Sequence, residues 1–371
     1  MSRSFLLVAI GGLVVLGCTA KTPTTSTSTE PTDSSATAST AVLADDPDAV
    51  AAVQASTDKL RTENGLVIEV DFRGLDIDDT ALEPLQGLPK LRSVLLSGTN
   101  VADDAMKPLA EIPELQNLDL RECEISNDGL AHLTSLQKLK AIKLSGQDGR
   151  CDVDDDGMVH IAKFKNLKVL AVDSLLISED GLKELTGLSE MTELYMGKTS
   201  IGDEAIELMT HFPKLKKLRA ANSHISAQGL AVLPRLENLE ELDLSECSQF
   251  FDDAMPPFAE MKNLKKLNLW RVAISDDGIK HLAGLTNLVS LNLDNTMLSD
   301  EGMKHLAGLT QLTFLHLGST QITDQGLPHL ENLKSLENLV VTRTAVTQEG
   351  VDRLQEQLPN AKIQLLYLEG Q

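Results

Sequence analysis

The feature of this 371-residue chain that most restricts its fold is a repeat of 24 residues. Twelve blocks align with one another, and they start at residues 67, 91, 115, 139, 167, 191, 215, 239, 264, 288, 312 and 336. Positions 1, 4 and 6 of a block are always apolar, as are positions 16 and 19, while position 15 is Gly or Ala. The blocks at 139 and 239 carry small insertions. Such a period indicates a solenoid whose units, here numbered repeats 1 to 12, stack on one another.

Each repeat predicts one strand followed by one short helix. Residues 264–287, for example, are LKKLNLWRVAISDDGIKHLAGLTN. Alternation around positions 4 and 6 has the period of a strand, and Ser or Thr at position 12 can cap a helix with apolar positions 16, 19 and 22. Strands pack more closely than helices, so an α/β solenoid is expected, with a parallel sheet on the concave face and helices on the convex face.

The spacing L-x-x-L-x-L resembles that of leucine-rich repeat proteins. It is most similar to bacterial members with 24-residue units, akin to the cysteine-containing subfamily, in which position 9 is Cys or Thr and not Asn. Position 9 here includes Thr99, Cys123, Thr199, Cys247 and Thr296. The resemblance implies a horseshoe of about twelve repeats over residues 67–362, and residues 363–371 are expected to add a closing strand.

A helical cap is predicted over residues 43–66, before the first repeat. Asp46 can serve as its N-cap with Pro47 at the first helical position, and Val50, Val53 and Leu60 would share one face. Asn64-Gly65 is a stop signal. Solenoids need such a cap over the exposed end of their core.

The N-terminus predicts export. Residues 1–17 have one basic residue and an apolar run too short to span a bilayer, which is typical of a signal peptide. Val15-Leu16-Gly17-Cys18 resembles a bacterial lipoprotein processing site, which implies a lipid anchor on Cys18 and, with Thr19 next, the outer membrane. An ordinary signal peptide with an incidental Cys18 is the alternative. Residues 18–42, rich in Ser, Thr and Pro, predict a disordered tether.

Composition and motifs argue against several functions. A formal charge of −22 repels phosphate backbones, so no nucleic-acid partner is expected. The mature chain contains no nucleophile-elbow, zincin or phosphate-loop motif, so the sequence predicts no enzyme, no cofactor and no small-molecule substrate. Acidic residues at positions 13 and 14 are interpreted as favourable charges at helix starts.

The stretch GQDGRCDVDDDG, residues 146–157, partly matches a calcium-binding loop. The twelfth position of such a loop, counted from Asp152, is Lys163, where a bidentate carboxylate is required. The repeat accounts for most of its residues, so we predict an insertion near residues 146–150 and no metal site.

Three cysteines, Cys123, Cys151 and Cys247, fall at position 9 once the insertion is allowed for. A buried ladder of hydroxyls and thiols that satisfies loop amides explains them. A disulfide between Cys123 and Cys151, on adjacent repeats of an exported protein, is an alternative.

The candidate binding residues are the variable ones that face outward from the strands. They are Tyr195, Arg219, Asp243, Asn268, Trp270, Asn292, Asp294, Phe314 and His316. Aromatic rings among polar groups are typical of protein-binding hot spots, and Trp270 with Phe314 is the expected centre. We therefore expect a scaffold, lipid-anchored to the cell envelope, that binds a protein or an envelope glycan. The alternative is a structural envelope lipoprotein that associates with itself.

Overall fold

The computed structural model describes residues 44–366. The predicted signal peptide 1–17, Cys18, the tether 18–42 and the last part of the predicted closing segment, residues 367–371, lie outside this range.

The described residues form an open sheet of fourteen strands in sequence order. Only the pair β1 and β2 is antiparallel; the neighbours from β2 to β14 are parallel, with equivalent repeat positions aligned, such as Leu267 with Leu242 and Leu291. The strands are β1 Leu60–Glu63, β2 Leu66–Asp71, β3 Ser93–Leu95, β4 Asn117–Asp119, β5 Ala141–Ser145, β6 Val169–Asp173, β7 Glu193–Tyr195, β8 Lys217–Arg219, β9 Glu241–Asp243, β10 Lys266–Asn268, β11 Ser290–Asn292, β12 Phe314–His316, β13 Asn338–Val340 and β14 Lys362–Gln364.

Short helices follow the strands. The α-helices are α1 Pro47–Ser56, α2 Met106–Ala110, α3 Asn127–His132, α4 Asp155–Ile161, α5 Glu179–Glu184, α6 Asp203–Met209, α7 Ala227–Leu230, α8 Asp276–Ile279, α9 Asp300–Met303 and α10 Gln348–Gln357. Other repeats carry 3-10 turns, among them Asp79–Gly87, Pro256–Glu260 and Leu327–Leu330. Within residues 44–366, none of these helices has the length and apolar character that a membrane span requires.

The order of strands and short helices confirms the predicted leucine-rich repeat solenoid.

The core runs along the whole array between sheet and helices. In repeat 10, for example, Leu288, Leu291 and Leu293 are completely buried. Each buried leucine contributes about 1.5 to 3 kcal/mol relative to exposure. Because every repeat buries its leucines against its neighbours, the array is stable only as a stack.

The N-terminal cap contains a shorter helix than the sequence predicts. Asp46 caps helix α1, since its side chain accepts a hydrogen bond from Asp48 N at 3.0 Å, but the helix ends at Ser56. Leu60 does not continue the helical face; it begins β1, and Asn64-Gly65 is the hairpin turn, with φ of 52° and 80°. The prediction was wrong here because a left-handed Asn-Gly pair ends a helix and turns a hairpin equally well. The antiparallel β1 covers the edge of the parallel sheet.

Acidic side chains at position 13 link most repeats to the next. Oδ1 and Oδ2 of Asp203 accept hydrogen bonds from Ser226 N and Oγ, both at 2.6 Å. A Cβ on Gly229 would lie only 2.6 Å from Asp203 Oδ1, so position 15 must stay small. This arrangement, here called the Asp clamp, recurs in seven pairs of repeats, at Asp103–Ser126, Asp155–Ser178, Asp203–Ser226, Asp252–Ser275, Asp276–Ser299, Asp300–Thr323 and Asp324–Thr347.

The inserted loop of repeat 4 is held by Arg150. Its guanidinium donates to Thr99 O at 3.0 Å, to Glu122 O, and to Asp148 Oδ2 at 2.7 Å. These acceptors belong to repeats 2, 3 and 4, so one side chain joins three turns of the solenoid. Two aspartates of the calcium-like stretch have structural roles within the repeats. Asp154 caps α4, and Asp155 forms an Asp clamp with Ser178.

The position 9 ladder exists, and it mainly satisfies carbonyl groups; of the predicted amide contacts, Val346 N donates to Thr344 Oγ1 at 3.3 Å. Thr199 Oγ1 donates to Met196 O at 2.7 Å, three residues earlier, whereas Cys123 Sγ donates to Leu96 O of the preceding repeat at 3.1 Å. A hydroxyl or thiol can donate to the carbonyls that point inward at the end of the strand, which explains this preference. Cys123, Cys151 and Cys247 are all free and buried, so the alternative disulfide is not formed.

Candidate functional site

A cavity of about 320 Å³ lies on the strand face and spans β7 to β12. Six of the predicted binding residues line it, namely Tyr195, Arg219, Asp243, Asn268, Asn292 and Phe314. Lys217, Glu241, Lys266 and Ser290 complete its polar wall. A single depression lined by outward-facing side chains of six strands is what the concave face of a solenoid provides.

The other three predicted residues, Trp270, Asp294 and His316, do not line the cavity. Trp270 is half-buried, and Arg271 Cζ lies 5.4 Å from its ring centroid. Phe314 is half-buried too and stacks on His316 with ring centroids 6.3 Å apart. The two aromatic residues therefore do not form the exposed joint patch that the sequence predicts, because Phe314 is the first residue of β12 whereas Trp270 lies two residues beyond the end of β10.

Glu241, Lys266 and Ser290 line the cavity but are not among the residues predicted from the sequence. All three occupy position 3 of their repeats, one alternation step before the predicted position 5 residues. Since side chains two residues apart share one face of a strand, the same pattern could have identified them.

Charged side chains in the first part of the cavity pair across strands. Lys217 Nζ lies 3.2 Å from Glu193 Oε1 and 4.0 Å from Glu241 Oε1, which in turn lies 3.1 Å from Lys266 Nζ. The hydrogen bond to Glu193 raises the pKa of Lys217. These four side chains lie on four adjacent strands and alternate in sign, so their charges neutralise one another.

Tyr195 and Glu193 form a hydrogen-bonded pair at the beginning of this row, with Tyr195 Oη donating to Glu193 Oε2 at 2.7 Å. Burial and this bond raise the pKa of Tyr195. Burial alone would raise the pKa of Glu193, but the Tyr195 hydroxyl and Lys217 hold it below its usual range. Tyr195 therefore stays a neutral donor and Glu193 an anion near neutral pH.

Arg219 crosses the floor of the cavity between two carboxylates. Its Nη1 lies 3.3 Å from Asp173 Oδ1, and its Nε lies 3.3 Å from Asp243 Oδ2. The Nε–H does not point at Asp243 well enough for a hydrogen bond and has no other partner within the described residues. Burial raises the pKa of Asp173 although Arg219 and the Gly197 amide oppose the shift.

Amide and hydroxyl groups dominate the second part of the cavity. Asn268 Oδ1 accepts from Trp270 N at 3.1 Å, and Asn292 Oδ1 accepts from Asp294 N at 2.9 Å. His316 Nδ1 lies 3.2 Å from Asn292 Oδ1, and burial lowers the pKa of His316. The Asn268, Ser290 and Asn292 side chains in this part of the surface carry no charge, and the Asp294 carboxylate lies beside them, with Oδ2 3.8 Å from His316 Nδ1.

Neither cavity nor convex face holds a metal-binding group. Within residues 44–366, no cluster of three or more His, Cys, Asp or Glu side chains could hold a metal ion.

Fold and site together define a leucine-rich repeat solenoid with a polar concave cavity. A family model described as leucine rich repeat matches residues 262–322. No curated protein sequence matches the chain.

One solved structure shows the same fold, and a second is reported beside it. An internalin from Listeria monocytogenes superposes with a TM-score of 0.59 at 18% identity, covering 88% of this chain and 96% of the internalin. A leucine-rich repeat protein from Leptospira interrogans gives a TM-score of 0.45 at 16% identity, covering 85% of this chain and 98% of that protein. At 18% identity the similarity to the internalin extends to the fold alone.

Proposed function

We propose that this protein is a membrane-anchored scaffold that binds a protein partner in the concave cavity of β7 to β12. The observation that carries the proposal is the cavity of about 320 Å³ itself, lined by ten polar or aromatic side chains from six strands. Concave solenoid surfaces present many side chains on one rigid frame, which suits recognition of another protein. Rigidity also limits the entropy lost on binding.

Site-specific photo-crosslinking in the cell that makes the protein tests this function. A photoreactive residue replaces Tyr195 in the cavity or, as a matched control, exposed Glu184 on α5. We expect a reproducible adduct with one protein from position 195 and none from position 184. Adducts from position 184 alone, or adducts only between copies of this chain, would contradict the proposal, and the latter would support the structural, self-associating alternative.

The anchor in this proposal is a lipid on Cys18, with export by residues 1–17 and location at the outer membrane. Two or more acyl chains give stable membrane attachment, whereas one is marginal. Labelled palmitate should enter the full chain but not a Cys18→Ser variant, and the variant should leave the membrane fraction. Equal labelling of both proteins, or of neither, would remove the anchor and leave the binding function to be judged by crosslinking.

A further inference from the structure

The side-chain amides of Asn268 and Asn292 are oriented by their own backbone. The two residues are directly paired on β10 and β11. Each Oδ1 accepts the N–H two residues further on, from Trp270 at 3.1 Å and from Asp294 at 2.9 Å. Since a carboxamide that uses its oxygen in this way cannot turn over without losing the bond, each Nδ2 group points away from the strand end and toward the cavity.

These Nδ2 donors are not used by the protein. Within residues 44–366, neither Nδ2 group has a hydrogen-bond partner, and neither does the hydroxyl of Ser290. Phe314 forms the adjacent wall on β12. We name these four residues, Asn268, Ser290, Asn292 and Phe314, the amide subsite.

The neighbouring charges disfavour a charged ligand at this position. Lys266 is already paired with Glu241 at 3.1 Å, and Arg219 lies between Asp173 and Asp243. A partner carboxylate would have to displace an existing acid, and a partner ammonium would meet outward-pointing N–H groups. Lys266 and Arg219 are partly exposed, so a new ion pair that replaces one of the existing pairs would return at most about 1 kcal/mol.

We infer that the amide subsite binds an uncharged, extended segment of the protein partner through the carbonyl oxygens of its backbone. Two amide donors on adjacent strands, about 4.8 Å apart, can reach two carbonyl groups of one segment that lies across the strands. Phe314 offers an apolar surface to a side chain of the same segment. The inference rests on the proposed function and specifies the chemistry of its partner.

A titration with defined probes tests the inference. The full chain, labelled with ¹⁵N only in asparagine, is mixed with the neutral peptide acetyl-triglycine amide, with sodium acetate or with a β-linked glucose tetramer. Asn268→Asp and Asn292→Asp identify the two side-chain signals. We expect saturable shifts of both signals with the peptide alone. Shifts with acetate or the sugar alone, or no saturable shift with the peptide, would overturn the inference.

The same substitutions test the energetics. Each replaces an outward donor by an acceptor while keeping the Oδ1 that holds the backbone, so the fold is retained and the peptide affinity should fall about tenfold. Asn117→Asp on β4 adds the same charge outside the amide subsite and should leave the affinity unchanged. An equal loss in all three variants would contradict the inference.

The proposed function has a separate readout. If position 195 still crosslinks to a partner but Asn292→Asp binds the peptide as well as the unaltered chain, the amide subsite is wrong and the concave site stands. If position 195 gives no adduct while both Asn signals shift with the peptide, the concave scaffold function is wrong, and what stands is only that the amide subsite binds neutral peptide backbone.

Discussion

Asp300 accepts two hydrogen bonds from Thr323 of the next repeat, from its N–H at 2.8 Å and from its hydroxyl at 2.6 Å. From the sequence, such acids are expected to act through the helix dipole alone. Because stability in a solenoid is a sum of interfaces between neighbours, bonds that cross from repeat to repeat matter more.

Replacement of Asp300 by Ala should lower the free energy of unfolding by about 2 to 4 kcal/mol, since two hydrogen bonds to a charged acceptor are lost. The adjacent Glu301 is the control. Its side chain is 85% exposed and pairs only with Lys304, so Glu301→Ala should change stability by less than about 0.5 kcal/mol. Urea unfolding measures both variants, and equal losses would contradict the clamp.

Gly326 completes the same clamp, because a Cβ there would lie 2.5 Å from Asp300 Oδ1. Gly326→Ala should therefore cost about 1 to 3 kcal/mol by overpacking. In an Asp300→Ala background the same change should cost much less, since the carboxylate is gone. Unfolding of the four proteins of this cycle gives the coupling energy, and strictly additive losses would show that the contact is unimportant.

Arg150 should be irreplaceable by Lys. A guanidinium serves acceptors in repeats 2, 3 and 4 at once, whereas an ammonium cannot reach all three in this geometry. We expect Arg150→Lys to lower the unfolding free energy by about 1 to 3 kcal/mol. Arg235→Lys, at an exposed ion pair with Glu207, should have little effect. Similar urea midpoints for both variants would count against the proposed link between repeats.

The buried thiols should react only after unfolding. Burial raises the pKa of Cys123 and Cys247 and raises that of Cys151 to about 11, so the reactive thiolate is scarce at neutral pH. In a Cys18→Ser variant, a disulfide-exchange reagent at pH 8 should find no rapidly reacting thiol in the folded protein. It should find all three after denaturation without reductant. Fewer than three would indicate a disulfide.

His316 should make the protein less stable in mild acid. Burial lowers its pKa, with Asp294 Oδ2 at 3.8 Å opposing that shift in part. Below pH 6.5 the unfolded chain therefore takes up a proton that the folded chain resists, and the unfolding free energy falls. Above that pH the imidazole is neutral in both states and has no such effect.

Urea unfolding at pH 7.5 and pH 5.5 measures this difference. The loss on acidification should be smaller in His316→Gln than in the unaltered protein, and exposed His224→Gln serves as the control. A protein that gains stability from His316 on acidification would show the opposite sign and refute the assignment.

The repeat pattern predicted the solenoid well because the period specifies which residues are buried in every unit. Leu291 and Leu315 could be assigned to the core from spacing alone, and both are completely buried in adjacent strands. The concave candidates were predicted in part by the same alternation. Asn268, Asn292 and Phe314 do line one cavity, whereas Trp270 does not. Alternation predicts which face of a strand a side chain is on, but not how far along the strand a cavity extends.

Pairing between repeats could not be predicted from one repeat at a time. Position 15 is small because the preceding repeat places a carboxylate there, a relation between residues about 24 apart that a single block does not contain. Ala replaces Gly at Ala81, Ala105, Ala205 and Ala254, where position 12 has no hydroxyl and no complete clamp forms.

The sequence by itself determined the period, the buried positions and the order of the strands, because each depends on local spacing and apolar burial. The tertiary structure alone decided which polar groups meet. Glu246 and Arg271 adopt the left-handed backbone, φ 60° and 58°, although nothing in their side chains favours it. Their N–H groups donate to Trp270 O and Asp294 O of the next repeat, at 2.8 and 3.0 Å. Stacking thus imposes a conformation that an isolated residue avoids at a cost of about 1 to 2 kcal/mol.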